Sequence, residues 1–320
     1  MDILFIKLGA LGDVINTLPL AAVLKEQLHA RVHWLVEPLS YPLVEENPNV
    51  HRAILFNKKQ WIRSIPGVIT ELRRNRFDLA LDLQRLIKSG LFCLASSSGR
   101  RVGFDRERCK EFTWLFPFER IPADDPLKHM AHQYLDFARY LGADPKEIRW
   151  DIPVTGRVPF SLPEKFVILN IGATASSKQW TAEGFASLAQ EIPKRYGMPC
   201  VLTGGQEDIP LSLQIDSLSS GAALNLVGRT SLMELKETVA LSSAMVTCDT
   251  GPMHLAVALE KEVVTLIGPT NPRRTGPLRG RIVKQDLDCM PCNKRECHNP
   301  VCLTGLAPEK VLEALDGILK

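Results

Sequence analysis

The run Asp2-Ile3-Leu4-Phe5-Ile6-Lys7-Leu8-Gly9-Ala10-Leu11-Gly12-Asp13-Val14 decides the fold. Asp2 to Lys7 reads as a short apolar strand. Gly9 and Gly12 allow a tight turn, and from Val14 to His29 apolar residues recur at helical spacing. A buried strand, a glycine turn and a helix are the opening of a parallel α/β sheet, whose strands are covered on both faces. The alternation continues. Val32 to Val36, Ala53 to Phe56 and Leu79 to Leu83 read as strands, and Ile65 to Asn75 as a helix.

Between Asp151 and Pro163 the periodicity stops, and Pro153, Gly156, Pro159 and Pro163 punctuate a linker. The alternation then restarts with strands at Phe166 to Ile171, Cys200 to Thr203, Met245 to Cys248 and Val263 to Ile267. Helices are predicted at Thr181 to Arg195, Ser231 to Leu241 and Ala307 to Leu319. A chain of 320 residues suits two domains. The pattern predicts an α/β protein of two Rossmann-like doubly wound parallel sheets, residues 1–155 and 156–320, facing a central cleft. The last helix is free to pack back on the first domain.

The net charge of +3 is too mild for the basic stripe that nucleic acid demands. No apolar run approaches the roughly 18 residues of a membrane span. The opening residues lack the basic region and cleavage site of a signal peptide. The expectation is a cytoplasmic protein whose membrane contact, if any, is peripheral.

Ligands of such sheets lie beyond the carboxyl ends of strands, and three segments follow predicted strands there. In the first, Gly12 and Asp13 stand near a helix start, where the carboxylate either caps backbone N–H groups or projects as a general base. In the second, Thr174, Ser176 and Lys178 follow Gly172, either as a solvated loop or as phosphate ligands. In the third, Asp249-Thr250-Gly251-Pro252-Met253-His254 ends a strand and opens a helix whose free N–H groups favour a diphosphate. The bland alternative is an ordinary helix start with a satisfied buried His254.

Glu207, after Gly204 and Gly205, suits a ribose diol, and the backbone near Leu232 suits an adenine edge. In the first half, Gln84 and Lys88 follow a strand, and Arg106 follows Gly103-Phe104-Asp105. Cationic groups there suit an anionic acceptor, although many of the basic residues are simply solvated faces.

Cys93, Cys109, Cys200 and Cys248 sit among apolar neighbours and read as buried thiols. Cys289, Cys292, Cys297 and Cys302 form a cluster with C-x2-C at its head. Two readings stand: a closed structural site for zinc or iron, or a reduced metal-free loop.

Taken together, KLGALGDVINTLP (7–19), GATASSKQW (172–180), CDTGPMHLAVAL (248–259) and GPTNPRRTGP (268–277) resemble glycosyltransferase family nine, the ADP-heptose:lipopolysaccharide heptosyltransferases. DLQRLIKSGLF (82–92) and GFDRERCKE (103–111) are similar to the heptosyltransferase I branch, and CMPCNKREC (289–297) to the heptosyltransferase II side. The resemblance implies a GT-B fold, with the acceptor on the N-terminal domain and the ADP-sugar on the C-terminal one. It implies inverting transfer of heptose to a lipopolysaccharide inner-core sugar, Kdo or heptose, with no cofactor required for catalysis. It also implies peripheral contact with the inner leaflet of the cytoplasmic membrane, where a lipid A-core acceptor resides.

In residues, the resemblance makes Asp13 the base, Lys178 the lysine on the donor phosphates, and Asp249, Thr250, Gly251 and His254 the donor segment. Glu207 takes the ribose, with Asp208 as the competing alignment, and Lys88 lies on the acceptor side. Arg85 departs from relatives, which often carry a small residue there. Other readings explain less. A nicotinamide oxidoreductase needs GxGxxG, which GALGDV lacks. A cysteine-cluster interaction module leaves every other motif unexplained. Within the family, another ADP-sugar or a protein hydroxyl acceptor is the alternative.

Overall fold

The computed structural model describes residues 1–319. The chain divides into two compact units, Met1–Pro153 and Val154–Lys320.

The first unit holds β1 (Asp2–Ile6), α1 (Leu11–Leu28), β2 (Arg31–Val36), α2 (Tyr41–Glu45), β3 (Val50–Leu55), α3 (Trp61–Arg74), β4 (Arg76–Asp82), α4 (Ile87–Ala95), β5 (Ser97–Gly103), β6 (Glu119–Arg120) and α5 (Met130–Tyr140). Its six strands are parallel and lie in the order β3-β2-β1-β4-β5-β6. Ile3, Leu4, Phe5 and Ile6 are fully buried, because helices cover both faces of a central parallel strand.

The structure adds elements that hydrophobic spacing does not reveal. β5, Ser-Ser-Gly-Arg-Arg-Val-Gly, is mostly polar, yet it pairs with β4 along nearly its whole length. Backbone pairing, not side-chain pattern, makes it a strand. α1 starts at Leu11 rather than Val14, so that Asp13 falls inside its first turn. α3 starts at Trp61 rather than Ile65.

The second unit holds β7 (Val167–Asn170), α6 (Ala182–Tyr196), β8 (Cys200–Thr203), α7 (Ile209–Ser219), β9 (Ala223–Asn225), α8 (Leu232–Leu241), β10 (Ala244–Cys248), α9 (Gly251–Ala258), β11 (Glu262–Ile267), α10 (Pro272–Thr275), β12 (Arg281–Lys284), α11 (Val301–Thr304) and α12 (Pro308–Leu319). These strands are also parallel, in the order β12-β11-β10-β7-β8-β9. Thr181 caps α6 by accepting from the Gly184 N–H at 3.0 Å. A Cβ at Gly184 would lie 2.5 Å from the Trp180 ring, so this turn of α6 requires glycine.

α12 packs on the core of the second unit. Val311, Leu312 and Leu315 enter the core shared with α6 and β11, and the Tyr196 hydroxyl donates to the Leu312 carbonyl at 3.1 Å. The apolar stripe of the helix is satisfied there.

Counted from its own first strand, each sheet has the order 3-2-1-4-5-6. The direction of winding reverses between first and fourth strands, and the crevice beyond their carboxyl ends is where such sheets hold ligands. These positions are β1/β4 in the first unit and β7/β10 in the second.

Candidate active site

At the β1/β4 position, Lys7 leaves β1 with its side chain fully buried. Removing an ammonium from water costs several kcal/mol unless it is paired. Its partner is Asp13, whose Oδ2 accepts from Lys7 Nζ at 3.0 Å. The Tyr134 ring centroid lies 5.2 Å from the ammonium. Asp13 is not a helix cap, since the N-cap position is Ala10 and carries no side-chain cap bond. Its side chain stays 33% exposed. Burial pushes the Asp13 carboxyl up, but Lys7, through charge and hydrogen bond, with Arg85 and Lys110 behind it, outweighs burial and holds it below the ordinary carboxylate range.

The β4 end supports this arrangement. Gln84 Oε1 accepts from the N–H groups of Leu8 and Gly9 at 3.0 and 3.3 Å, tying the two loops together. Asp82 accepts from the Gln84 and Arg85 N–H groups, both at 3.2 Å, and burial pushes its carboxyl up. Arg85 sits at φ +66° with its guanidinium buried over the Phe104 ring, 4.8 Å from the centroid. Gly12 is buried inside α1, Lys88 pairs with Glu37 at 3.1 Å, and Arg106 is exposed over the Trp114 ring. Lys7, Glu37 and the buried state of Arg85 were not anticipated as site features. A lysine closing an otherwise apolar strand was the one available signal.

At the β7/β10 position, Lys178 Nζ donates to Asp249 Oδ2 at 3.1 Å and to the Asp249 carbonyl at 3.2 Å. Thr275 Oγ donates to the same carboxylate oxygen at 3.1 Å. Sequence spacing brings none of these three together; the turn before α6, the end of β10 and α10 do. Thr250, the N-cap of α9, makes no side-chain cap bond, which leaves the first N–H groups of that helix uncapped by a side chain. Thr250 and His254 are buried, and Gly251 is half-buried. Thr174 and Ser176 are exposed on the loop, whereas Ser177 is buried and donates to the Lys294 carbonyl at 2.6 Å.

The two acids after β8 separate cleanly. Asp208 is buried and accepts from the Gly205 N–H at 2.7 Å, so its carboxylate closes the turn. Glu207 is exposed and carries the carboxylate available to a diol. Leu232 opens α8, half-buried behind the Ser231 cap.

The four cysteines lie in the second unit. Among the described residues no group of three or more His, Cys, Asp or Glu is arranged to hold a metal ion. Cys289 and Cys297 are exposed, while Cys302 is buried in the second unit's core beside Leu303. Burial, then the charges of Cys292, Cys289 and Cys297, pushes the Cys302 thiol up. No helix among the described residues is long and apolar enough to cross a membrane.

The pattern of glycosyltransferase family 9 (heptosyltransferase) matches residues 67–302. Lipooligosaccharide heptosyltransferase 2 of Haemophilus influenzae is 30% identical over an alignment of 348 positions, covering 100% of this chain and 99% of that one. The lipopolysaccharide core heptosyltransferase OpsX of the same organism is 23% identical over 283 positions, covering 85% and 80%. The solved ADP-heptose lps heptosyltransferase II of E. coli has the same fold, with a TM-score of 0.82 at 24% identity over 100% of this chain and 98% of that one.

Proposed function

Because the chain belongs to glycosyltransferase family 9, the heptosyltransferases, we propose that it transfers heptose from ADP-heptose to an inner-core lipopolysaccharide sugar, Kdo or heptose, with inversion. The observation that carries this reading is that each unit gathers a charged constellation at its own topological switch point. One holds an ionised, part-exposed carboxylate, and the other a lysine beside an uncapped helix start.

In this reading residues 1–155 take the acceptor and 156–320 the donor. The acceptor hydroxyl loses its proton to Asp13 as its oxygen bonds to the anomeric carbon. The bond from that carbon to the diphosphate breaks on the opposite face, and the electron pair leaves with ADP. Lys178 and the N–H groups at Thr250-Gly251 stabilise the charge developing there. Thr174 and Ser176 add hydroxyl donors, Glu207 holds the ribose diol, and Leu232 lies against the base. Asp249 and His254 complete the donor segment. Gly12, Gln84, Lys88 and Arg106 belong to the acceptor side. An Asp13 held below the ordinary range is anionic at neutral pH but a weak base. It therefore takes its proton late, when the new bond is well formed.

We place the enzyme against the inner leaflet of the cytoplasmic membrane. Trp61, Ile62, Ile87, Phe112 and Leu115 are all exposed, as are Lys58, Lys59 and Arg63. They follow the carboxyl ends of β3, β4 and β5, parallel strands whose edge also presents Asp13. Exposed aromatic and aliphatic groups beside cations suit an anionic lipid surface. The decisive experiment offers ADP-heptose with Kdo- and heptose-terminated acceptors and identifies products by mass spectrometry. A heptosylated product supports the proposal, and failure with every acceptor rejects it.

A further inference from the structure

We infer that Lys7 is the positioning residue for the Asp13 carboxylate, holding one oxygen of the base so that the other faces the acceptor. This rests on the reading of Asp13 as the base. Lys7 is buried to zero exposure, where a lysine is seldom found without a partner. Its ammonium reaches one carboxylate oxygen, Oδ2, at 3.0 Å. The Asp13 side chain stays 33% exposed. Because the Lys7 carbonyl also accepts from the Trp34 indole N–H at 2.9 Å, the strand end is anchored and the ammonium is aimed. The pair thus joins the end of β1 to the first turn of α1 and fixes the carboxylate in one orientation.

The groups around the pair come from several elements. The β4 end contributes Asp82 and Arg85, the loop after β5 contributes Lys110, and α5 contributes the Tyr134 ring. Beyond β2, Glu37 faces Gly9 and is occupied by Lys88. Burial pulls Lys7 below the ordinary lysine value, Asp13 raises it again in part, and Arg85 lowers it. The 3.0 Å contact favours the charged form of both partners. Once the Lys7 charge is removed, burial meets the weaker opposition of Arg85 and Lys110, and the carboxyl rises.

The test is the pH profile of kcat/KM in wild type, Lys7→Met and Lys7→Arg, with ADP release as readout and a melting curve for each. Lys7→Met keeps the apolar stem and removes the charge. Its acid limb should move to higher pH, kcat should fall about 10²-fold, and the donor KM should hold. Lys7→Arg should return the acid limb toward wild type. An acid limb unmoved in a folded Lys7→Met overturns the inference. Should either variant fail to fold, ¹³C carboxyl titration of wild-type Asp13 decides instead. A value below the ordinary 3.8 supports the ion pair, and one at or above it overturns the inference. Absence of ADP release from wild type with every acceptor would reject the proposed function, while the carboxyl titration would still report on the pair.

Discussion

Lys178 holds Asp249 at two points, its carboxylate and its backbone carbonyl, across the β7/β10 switch point. One ammonium thus ties the loop before α6 to the segment that opens α9. Lys178→Ala would leave the buried Asp249 carboxylate to rely on the Thr275 hydroxyl donor. We expect a stability loss of about 2 kcal/mol, the range for a hydrogen bond to a charged group, together with at least a tenfold rise in donor KM. Denaturant unfolding and steady-state kinetics measure both. Unchanged donor KM would remove Lys178 from the diphosphate site.

Asp13→Ala should retain ADP affinity and lose turnover by about 10²–10⁴-fold, the usual contribution of a general base. Calorimetry with ADP and rates at saturating acceptor separate the two effects. Wild-type turnover in this variant would mean that another group takes the proton.

Ser177→Ala removes a buried donor that grips the Lys294 carbonyl of the cysteine loop at 2.6 Å. The expected cost is about 1 kcal/mol. Because Ser177 adjoins Lys178, ADP should bind several-fold more weakly while kcat stays close to wild type. Equal ADP affinity in the two proteins would show that the cysteine loop does not support the donor loop.

The acid stability of the protein should carry a signature of the Lys7–Asp13 pair. The folded Asp13 carboxyl lies below its ordinary 3.8, so the unfolded chain binds more protons between the two values. Stability therefore rises with pH across that window and is lost as pH falls through the folded value. Asp13→Asn should flatten this part of the curve. Urea unfolding at stepped acidic pH measures it, and equal slopes in the two proteins would contradict the assignment.

Trp61→Ala with Ile62→Ala should weaken sedimentation with phosphatidylglycerol-containing vesicles by about fivefold or more. Binding to neutral phosphatidylcholine vesicles should be slight for both proteins. Added salt should weaken wild-type binding through screening of Lys58, Lys59 and Arg63. Equal sedimentation of variant and wild type would remove this edge from the membrane contact.

Much of the architecture was legible in one dimension. Unbroken apolar runs such as Ile3 to Ile6 and Phe166 to Leu169 announce strands buried on both faces, because covering helices leave no room for polar alternation. The glycine turn after β1 and the Asp-Thr-Gly after β10 marked the segments that reach the two switch points. β5 was illegible because its side chains are polar and its identity comes from pairing with β4. The burial of Cys302 was illegible for a related reason, since it is set by packing with residues distant in sequence.

The sequence by itself determined the fold class, the duplicated α/β plan and the segments that lie beyond the carboxyl ends of the strands, since periodicity and turn chemistry are local properties of the chain. Tertiary structure alone decided what each charged group does. Lys7 became the partner of Asp13, Lys178 that of Asp249, and Asp208 a turn-closing acid that leaves Glu207 exposed. Charge pairing depends on distance and burial, and both are fixed only when strands remote in sequence come to lie side by side.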